Sequence, residues 1–277
     1  MEKSNKIRQP AVAGLFYSKQ KSTLEREVAV YLENSPAVKD VNQIYGLVAP
    51  HAGYMYSGGV AARAYRQLVD REFDVVVVIA PSHRTYFEEV SVYNGYGYST
   101  PLGDIPVDRK LASEIAEMHS SIIYSDIGHE IDEHALEVQL PFLQQVLGEF
   151  KLVPVVMGNQ DMGNVKLLAE ALSKVLQGKK ALVVASSDLS HYHHYDRAAM
   201  IDNVVVDNIN EFDAEKLNEN LLRNSCEMCG GGPVMATMMI CRNLGAKSSK
   251  VLIYRNSGDV TGQKSEVVGY LSAIFYS

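Results

Sequence analysis

Three histidines in this chain sit just beyond strand-like apolar runs. His51 directly follows "YGLVAP", His83 follows "VVVVIAPS", and His191 follows "ALVVASSDLS", with Asp188 in the same exit. Imidazoles and a carboxylate gathered in one place suit a divalent transition metal. A histidine there could also take up and return a proton. A lone histidine in a loop after a strand is most often a hydrogen-bonded surface residue. Its recurrence at three strand ends is what favours a shared site. His119, His129, His193 and His194 lack that support and are read as structural or solvated.

The segment "CEMCGGGP" pairs Cys226 with Cys229 at a spacing used by zinc knuckles and redox dithiols. No second such pair exists, which excludes a local four-thiolate zinc site. The glycines after Cys229 lead into the helical "VMATMMICRN". A cysteine just before a helix N-terminus tends toward thiolate, making it both nucleophile and metal ligand. Cys241 falls on the apolar helix and reads as core packing, whereas Cys226 could serve either purpose.

In "DEHALEVQLPF", His134 and Glu137 are three apart, on one helical face, and could meet a common partner. Asp132 or Glu133 would favour the helix start. On spacing alone, a capped helix with one satisfied histidine is the better account. Gly58-Gly59 before a helix could hold an anion on free N–H groups, or could simply allow close packing.

The elements that must position these residues alternate. Strand-like "YGLVAP", "FDVVVVIAP", "KLVPVVMG", "KALVVASSD" and a terminal "SEVVGYLSAIFY" are separated by helical stretches. A helix is expected to open at Ser57, others over 109–118 and through "DEHALEVQLPFLQQVLG", the last kinked or broken at Pro141. Further helices are expected in "VKLLAEALSKVLQG", over about 196–223 and over 234–243. Residues 89–107 read as a hairpin or extended excursion, with turn signals at Asn94-Gly95 and at Pro101–Asp104. This alternation predicts one α/β domain over residues 1–277, a central, mostly parallel or mixed sheet flanked by helices. Ligands in such sheets bind beyond the carboxyl ends of the strands, where the three histidines fall.

Bulk properties narrow the class. A net charge of −7 and no basic run with interleaved aromatics argue against nucleic acid as a partner. No apolar stretch approaches the roughly 18 residues that span a bilayer. The start "MEKSNKIRQPAVAGLFYS" lacks the apolar core of a secretion signal, so a cytoplasmic location without membrane partners is expected. The odd count of three cysteines fits reduced thiols.

With these residues in hand, the chain resembles the Memo family, which includes the B component of AmmeMemoRadiSam systems. The blocks "AGLFY", "APHAGYMYSGGVAARAY", "APSHR", "STPLGDIPVD", "DEHALEVQLPFLQ", "SSDLSHY", "CGGGPV" and "EVVGYLSAIF" occur in family order over nearly the whole chain. The resemblance implies a fold like that of class III extradiol dioxygenases, which hold non-haem Fe(II) with two histidines and a carboxylate. It implies His51, His83 and Cys229 as metal ligands, His191 as the acid–base histidine with Asp188 beside it, and His134 as pocket wall. Tyr54 and Tyr98, from tyrosine-rich stretches, are expected to shape the pocket around a small-molecule substrate. A thiolate in place of the carboxylate softens the site, which brings copper or zinc into consideration beside Fe(II). A dioxygenase-like redox enzyme is the first function implied; a phosphopeptide-binding adaptor, or a protein that merely binds iron or copper, are the alternatives. The family also implies AMMECR1-type and radical SAM proteins as partners.

Overall fold

Val75–Pro81 and Ala181–Ser186 are buried at every residue in the computed structural model, which describes residues 6–130 and 132–277. Strands with no polar face must lie inside a sheet covered on both sides. In chain order the strands are β1 (Ile7–Arg8), β2 (Ile44–Ala49), β3 (Val75–Pro81), β4 (Val90–Tyr93), β5 (Gly97–Thr100) and β6 (Gly103–Pro106). There follow β7 (Ile122–Ser125), β8 (Lys151–Met157), β9 (Ala181–Ser186), β10 (His191–His193), β11 (Ser248–Asn256) and β12 (Val267–Tyr276). The helices are α1 (Lys21–Glu33), α2 (Tyr54–Tyr65), α3 (Arg109–Ala116), α4 (Leu140–Leu147), α5 (Met162–Leu176), α6 (Tyr195–Asn210), α7 (Ala214–Leu222), α8 (Gly231–Leu244) and α9 (Ser257–Thr261).

The large sheet runs β10-β12-β2-β9-β3-β8-β4-β7, with β11 also paired to β12. Its centre, β2-β9-β3-β8, is parallel. β12 joins β2, and β4 joins β8, in antiparallel fashion. The sheet is therefore mixed and flanked by helices, as the alternation of elements implies. α8 packs on β2, β3 and β9 and is backed by α5 and α7, while α2 packs on β2 and β12 and is backed by α1 and α4. Among the described residues no helix is long and apolar enough to cross a membrane.

Four local expectations are corrected. α2 opens at Tyr54 after Gly53, so Gly58 and Gly59 lie inside the helix with no free N–H for an anion. A Cβ on Gly58 would stand 2.8 Å from the ring of Tyr31, so close packing of α1 is what that glycine serves. The hairpin in residues 89–107 turns at Pro101-Leu102, between β5 and β6, and not at Asn94-Gly95. β4 already has partners on both edges, β7 and β8, so the chain leaves for a second sheet in which β5 pairs with β6 and β1. The helix expected from Asp132 begins only with a 3-10 turn at Glu137–Gln139, which changes to α-helix at α4, with Pro141 in the first turn, where a missing N–H costs nothing. The expected long helix over 196–223 is two helices, parted at Phe212 (φ 59°), after which Asp213 caps the second. The edge strand β11 has no counterpart among the expected elements.

The N-terminal arm is tied down by a buried ion pair. Arg8 meets Glu137, with side chains 4% and 0% exposed. The carboxylate also accepts from the N–H of Ala11 (2.6 Å) and Val12 (3.0 Å) and from the Tyr17 hydroxyl (2.5 Å). Removing one partner of such a pair strands the other charge away from water. Glu137→Ala is accordingly expected to lower the unfolding free energy by about 3–5 kcal/mol. Denaturant titration would show it as a lower midpoint, and an unmoved midpoint would refute the account.

Candidate metal centre

β2, β9 and β3 are parallel neighbours, and each delivers a polar side chain from its carboxyl end. Ala49 pairs with Ser186 and Ile79 with Ala185, so the three exits lie at one level. His51, His83 and Asp188 leave there. The His51 and His83 rings are 5.1 Å apart, edge to face at 76°.

Cys229 arrives from the loop before α8. Its N–H donates to the Asp188 carbonyl (3.2 Å), its sulfur accepts from the Asp188 N–H (3.2 Å), and Gln160 Nε2 donates to its carbonyl (2.9 Å). Gly230 makes the approach feasible: a Cβ there would stand 2.4 Å from the Ser186 carbonyl oxygen. The Cys229 sulfur lies 3.2 Å from His51 Nε2. One nitrogen each of His51 and His83 and the Cys229 sulfur all fall within 4.8 Å of one another. Residues from three distant parts of the chain are thus brought together.

The thiol does not behave as a cysteine at a helix N-terminus would. Burial first, then the Asp188 charge, pushes it up to about 12, so without a cation it keeps its proton. Desolvation outweighs the helix end here. Burial likewise pushes Cys226 up to about 11, and that thiol is not in the cluster. Cys241 packs in the core against Gly46.

His191 stands at the start of β10, with Nδ1 2.8 Å from the Leu189 carbonyl. Its ring nitrogens are not among the converging donor atoms of His51, His83 and Cys229. Asp188 is buried, and burial raises its carboxyl to about 7. Its Oδ1 accepts from the His51 N–H at 2.8 Å, so it braces the His51 backbone. His134 is not on a helix. Its ring stacks on His83 at 5.0 Å, meets His51 edge-on at 5.5 Å and touches Phe16 at 4.9 Å, forming a wall of the cluster. It shares no partner with Glu137, which serves the N-terminal arm. Tyr54 and Tyr98 are core residues instead of pocket walls. Both are essentially buried, and their hydroxyls meet the Val138 carbonyl (2.8 Å) and His129 Nδ1 (2.6 Å).

The residues that sequence reasoning missed are those touching the far side of the imidazoles. Glu133 Oε1 is 3.1 Å from His83 Nδ1 and accepts from the N–H of His134 (2.8 Å) and Ala135 (2.9 Å), while Oε2 accepts from the His83 N–H (2.5 Å). Burial alone would raise this carboxyl, but the hydrogen bonds it accepts from His83 and Ala135 outweigh it and hold it at about 2. Ser186 Oγ lies 2.9 Å from His51 Nδ1. His83, Glu133 and His134 form a second group close enough to share a cation. With so many N–H groups already on Glu133, that group is the poorer candidate.

A family profile described as Memo-like protein matches residues 8–274. A MEMO1 family protein of Methanosarcina mazei is 42% identical over 275 residues, covering 97% of this chain and 98% of its own. One from Methanobrevibacter smithii is 38% identical over 281 residues, covering 97% and 99%. Among solved structures, an uncharacterized protein of Escherichia coli K12 superposes with a TM-score of 0.57 at 13% identity, over 84% of this chain and 100% of that one. At that identity the likeness concerns the fold alone.

Burial holds His51, His129, His134 and His191 below the ordinary imidazole range, His134 at about 4 and His129 at about 3. Below about pH 6.5 the unfolded chain therefore binds protons that the folded chain refuses, and stability rises with pH through this window. Asp188, Asp202 and Glu27, raised by burial, act in the opposite sense, three groups against four. In chelator, the denaturation midpoint should fall as pH drops from about 6.5 toward 4, and His134→Gln should make the fall shallower. A midpoint that rises on acidification would contradict the assignment.

Proposed function

The chain belongs to the Memo-like family, and on that premise we propose that it is a metal-dependent redox protein acting on a small molecule. His51, His83 and Cys229 would hold one divalent transition-metal ion, ferrous iron in the first instance, with copper or zinc as the other candidates. The carrying observation is the convergence of their three donor atoms within 4.8 Å. The donor set fits such an ion: two imidazoles whose Nδ1 atoms are engaged elsewhere, and a thiol next to one free Nε2. Three protein ligands leave coordination positions open, the pattern of catalytic rather than structural sites. When bound, the ion would supply Lewis acidity and, if iron or copper, a redox couple for dioxygenase-like chemistry.

The chain's own residues do the rest. Cys229 gives up its proton to become a ligand. His191, lowered by burial and with Nδ1 on the Leu189 carbonyl, stays neutral and can accept a substrate proton at Nε2. Asp188 keeps the His51 backbone in place. His134 walls the cluster on one side. A protein that holds iron or copper without turnover is the second function, favoured by the soft thiol where a carboxylate would better serve oxygen chemistry.

Anaerobic purification, ferrous reconstitution and elemental analysis test the proposal. One metal ion per chain is expected, with most of it lost in Cys229→Ser and His83→Ala. Full occupancy in either variant, or none in the wild type with iron, copper or zinc, would overturn it. His191→Ala should keep its metal and lose about 10²–10⁴-fold in turnover of an identified substrate; unchanged turnover would remove the proton-transfer role.

A further inference from the structure

The stretch from Glu133 to Gln139 backs both candidate ligand histidines, His83 directly through Glu133 and His51 through Ser186. Ser186 links it to His51. The Ser186 hydroxyl donates its single proton to the Ala135 carbonyl at 2.6 Å. Gln139 Nε2 donates to the same oxygen at 2.7 Å and to the Pro50 carbonyl at 3.0 Å. The Pro50 carbonyl can only accept, which fixes which end of the amide is which, and Oε1 then accepts from the Tyr65 hydroxyl at 2.7 Å. With its proton spent on a carbonyl, Ser186 Oγ can only accept from His51 Nδ1, so that nitrogen carries the hydrogen.

The same logic holds at His83. Glu133 accepts from three backbone N–H groups and, as a carboxylate, has no proton to give. His83 Nδ1 is therefore the donor at 3.1 Å, and its Nε2 is the atom with the free lone pair. We infer that Glu133 and the Ser186–Gln139 pair are positioning residues that set both imidazoles in the Nδ1–H tautomer before any cation arrives. This deepens the metal-centre proposal and rests on it for its purpose, but the tautomers belong to the metal-free protein. A second hydrogen-bonding layer of this kind fixes ring orientation and raises the basicity of the coordinating nitrogen. One short segment does so for both rings. Arg8 anchors it in turn, donating to the carbonyls of Glu133 and of Glu130 (3.3 Å).

The test is long-range ¹⁵N–¹H correlation NMR of the metal-free full chain at about pH 8, where free imidazoles are neutral, alongside Zn²⁺ affinity by chelator competition. Both wild-type rings should show hydrogen on Nδ1. Ser186→Ala should disturb the tautomer of His51 alone, and Glu133→Gln that of His83 alone. Each should weaken Zn²⁺ binding roughly 10–100-fold, while Ser186→Thr, which keeps the hydroxyl, restores both readouts. The inference is overturned if either wild-type ring carries its hydrogen on Nε2, or if both variants leave tautomer and affinity unchanged. The wild-type measurement decides even if Glu133→Gln fails to fold. Preset tautomers in a wild type that takes up no metal would instead overturn the metal centre and uphold the positioning.

Discussion

Parallel pairing of β2, β9 and β3 is the constraint on which the rest depends. Neighbouring parallel strands end on the same side by construction, so whatever follows each one is delivered to a common edge. The register makes that edge level, and a slip by one residue would exchange every side chain of a strand between the two packed faces of the sheet. Cys229 is the exception, since no strand of this sheet carries it in. It depends on backbone hydrogen bonds with Asp188 and on the bare α-carbon of Gly230 against the Ser186 carbonyl.

Burial at that edge pushes its groups toward neutrality. The thiol and the Asp188 carboxyl rise, while the imidazoles of His51, His134 and His191 fall. Glu133 goes the other way, held low by the N–H groups arranged around it. A low-dielectric pocket of neutral donors is costly to charge by protonation, yet receptive to a cation that its lone pairs can coordinate directly. The chemistry proposed for this Memo-family chain follows from that contrast.

Much of the fold was legible because unbroken apolar runs separated by helical stretches admit few arrangements. His51, His83 and Cys229 were legible for different reasons: the histidines from strand ends, the cysteine from the family resemblance and the glycines after it. What could not be read was the outer layer. Glu133, Ser186 and Gln139 are ordinary polar residues whose importance comes from which atom each faces, and no spacing encodes that. The irregular backbone around His134 was misread as helix because its i, i+3 pair imitates a helical face, though the two side chains part company. Tyr54 and Tyr98 misled for a related reason. A tyrosine-rich stretch looks like a pocket lining, but a ring that can anchor its hydroxyl internally is an equally good core residue.

The sulfur of Cys229 and the ring of His51 meet across 178 positions of sequence, and Arg8 waits 129 positions for Glu137. No contiguous fragment of moderate length contains the complete donor set together with its anchoring arm. The proposed donor set is therefore complete only when the loop before α8, which carries Cys229, has docked against Asp188. Loss of the arm that carries Arg8 would remove its contacts to Glu137 and to the Glu133 carbonyl without touching a single proposed donor.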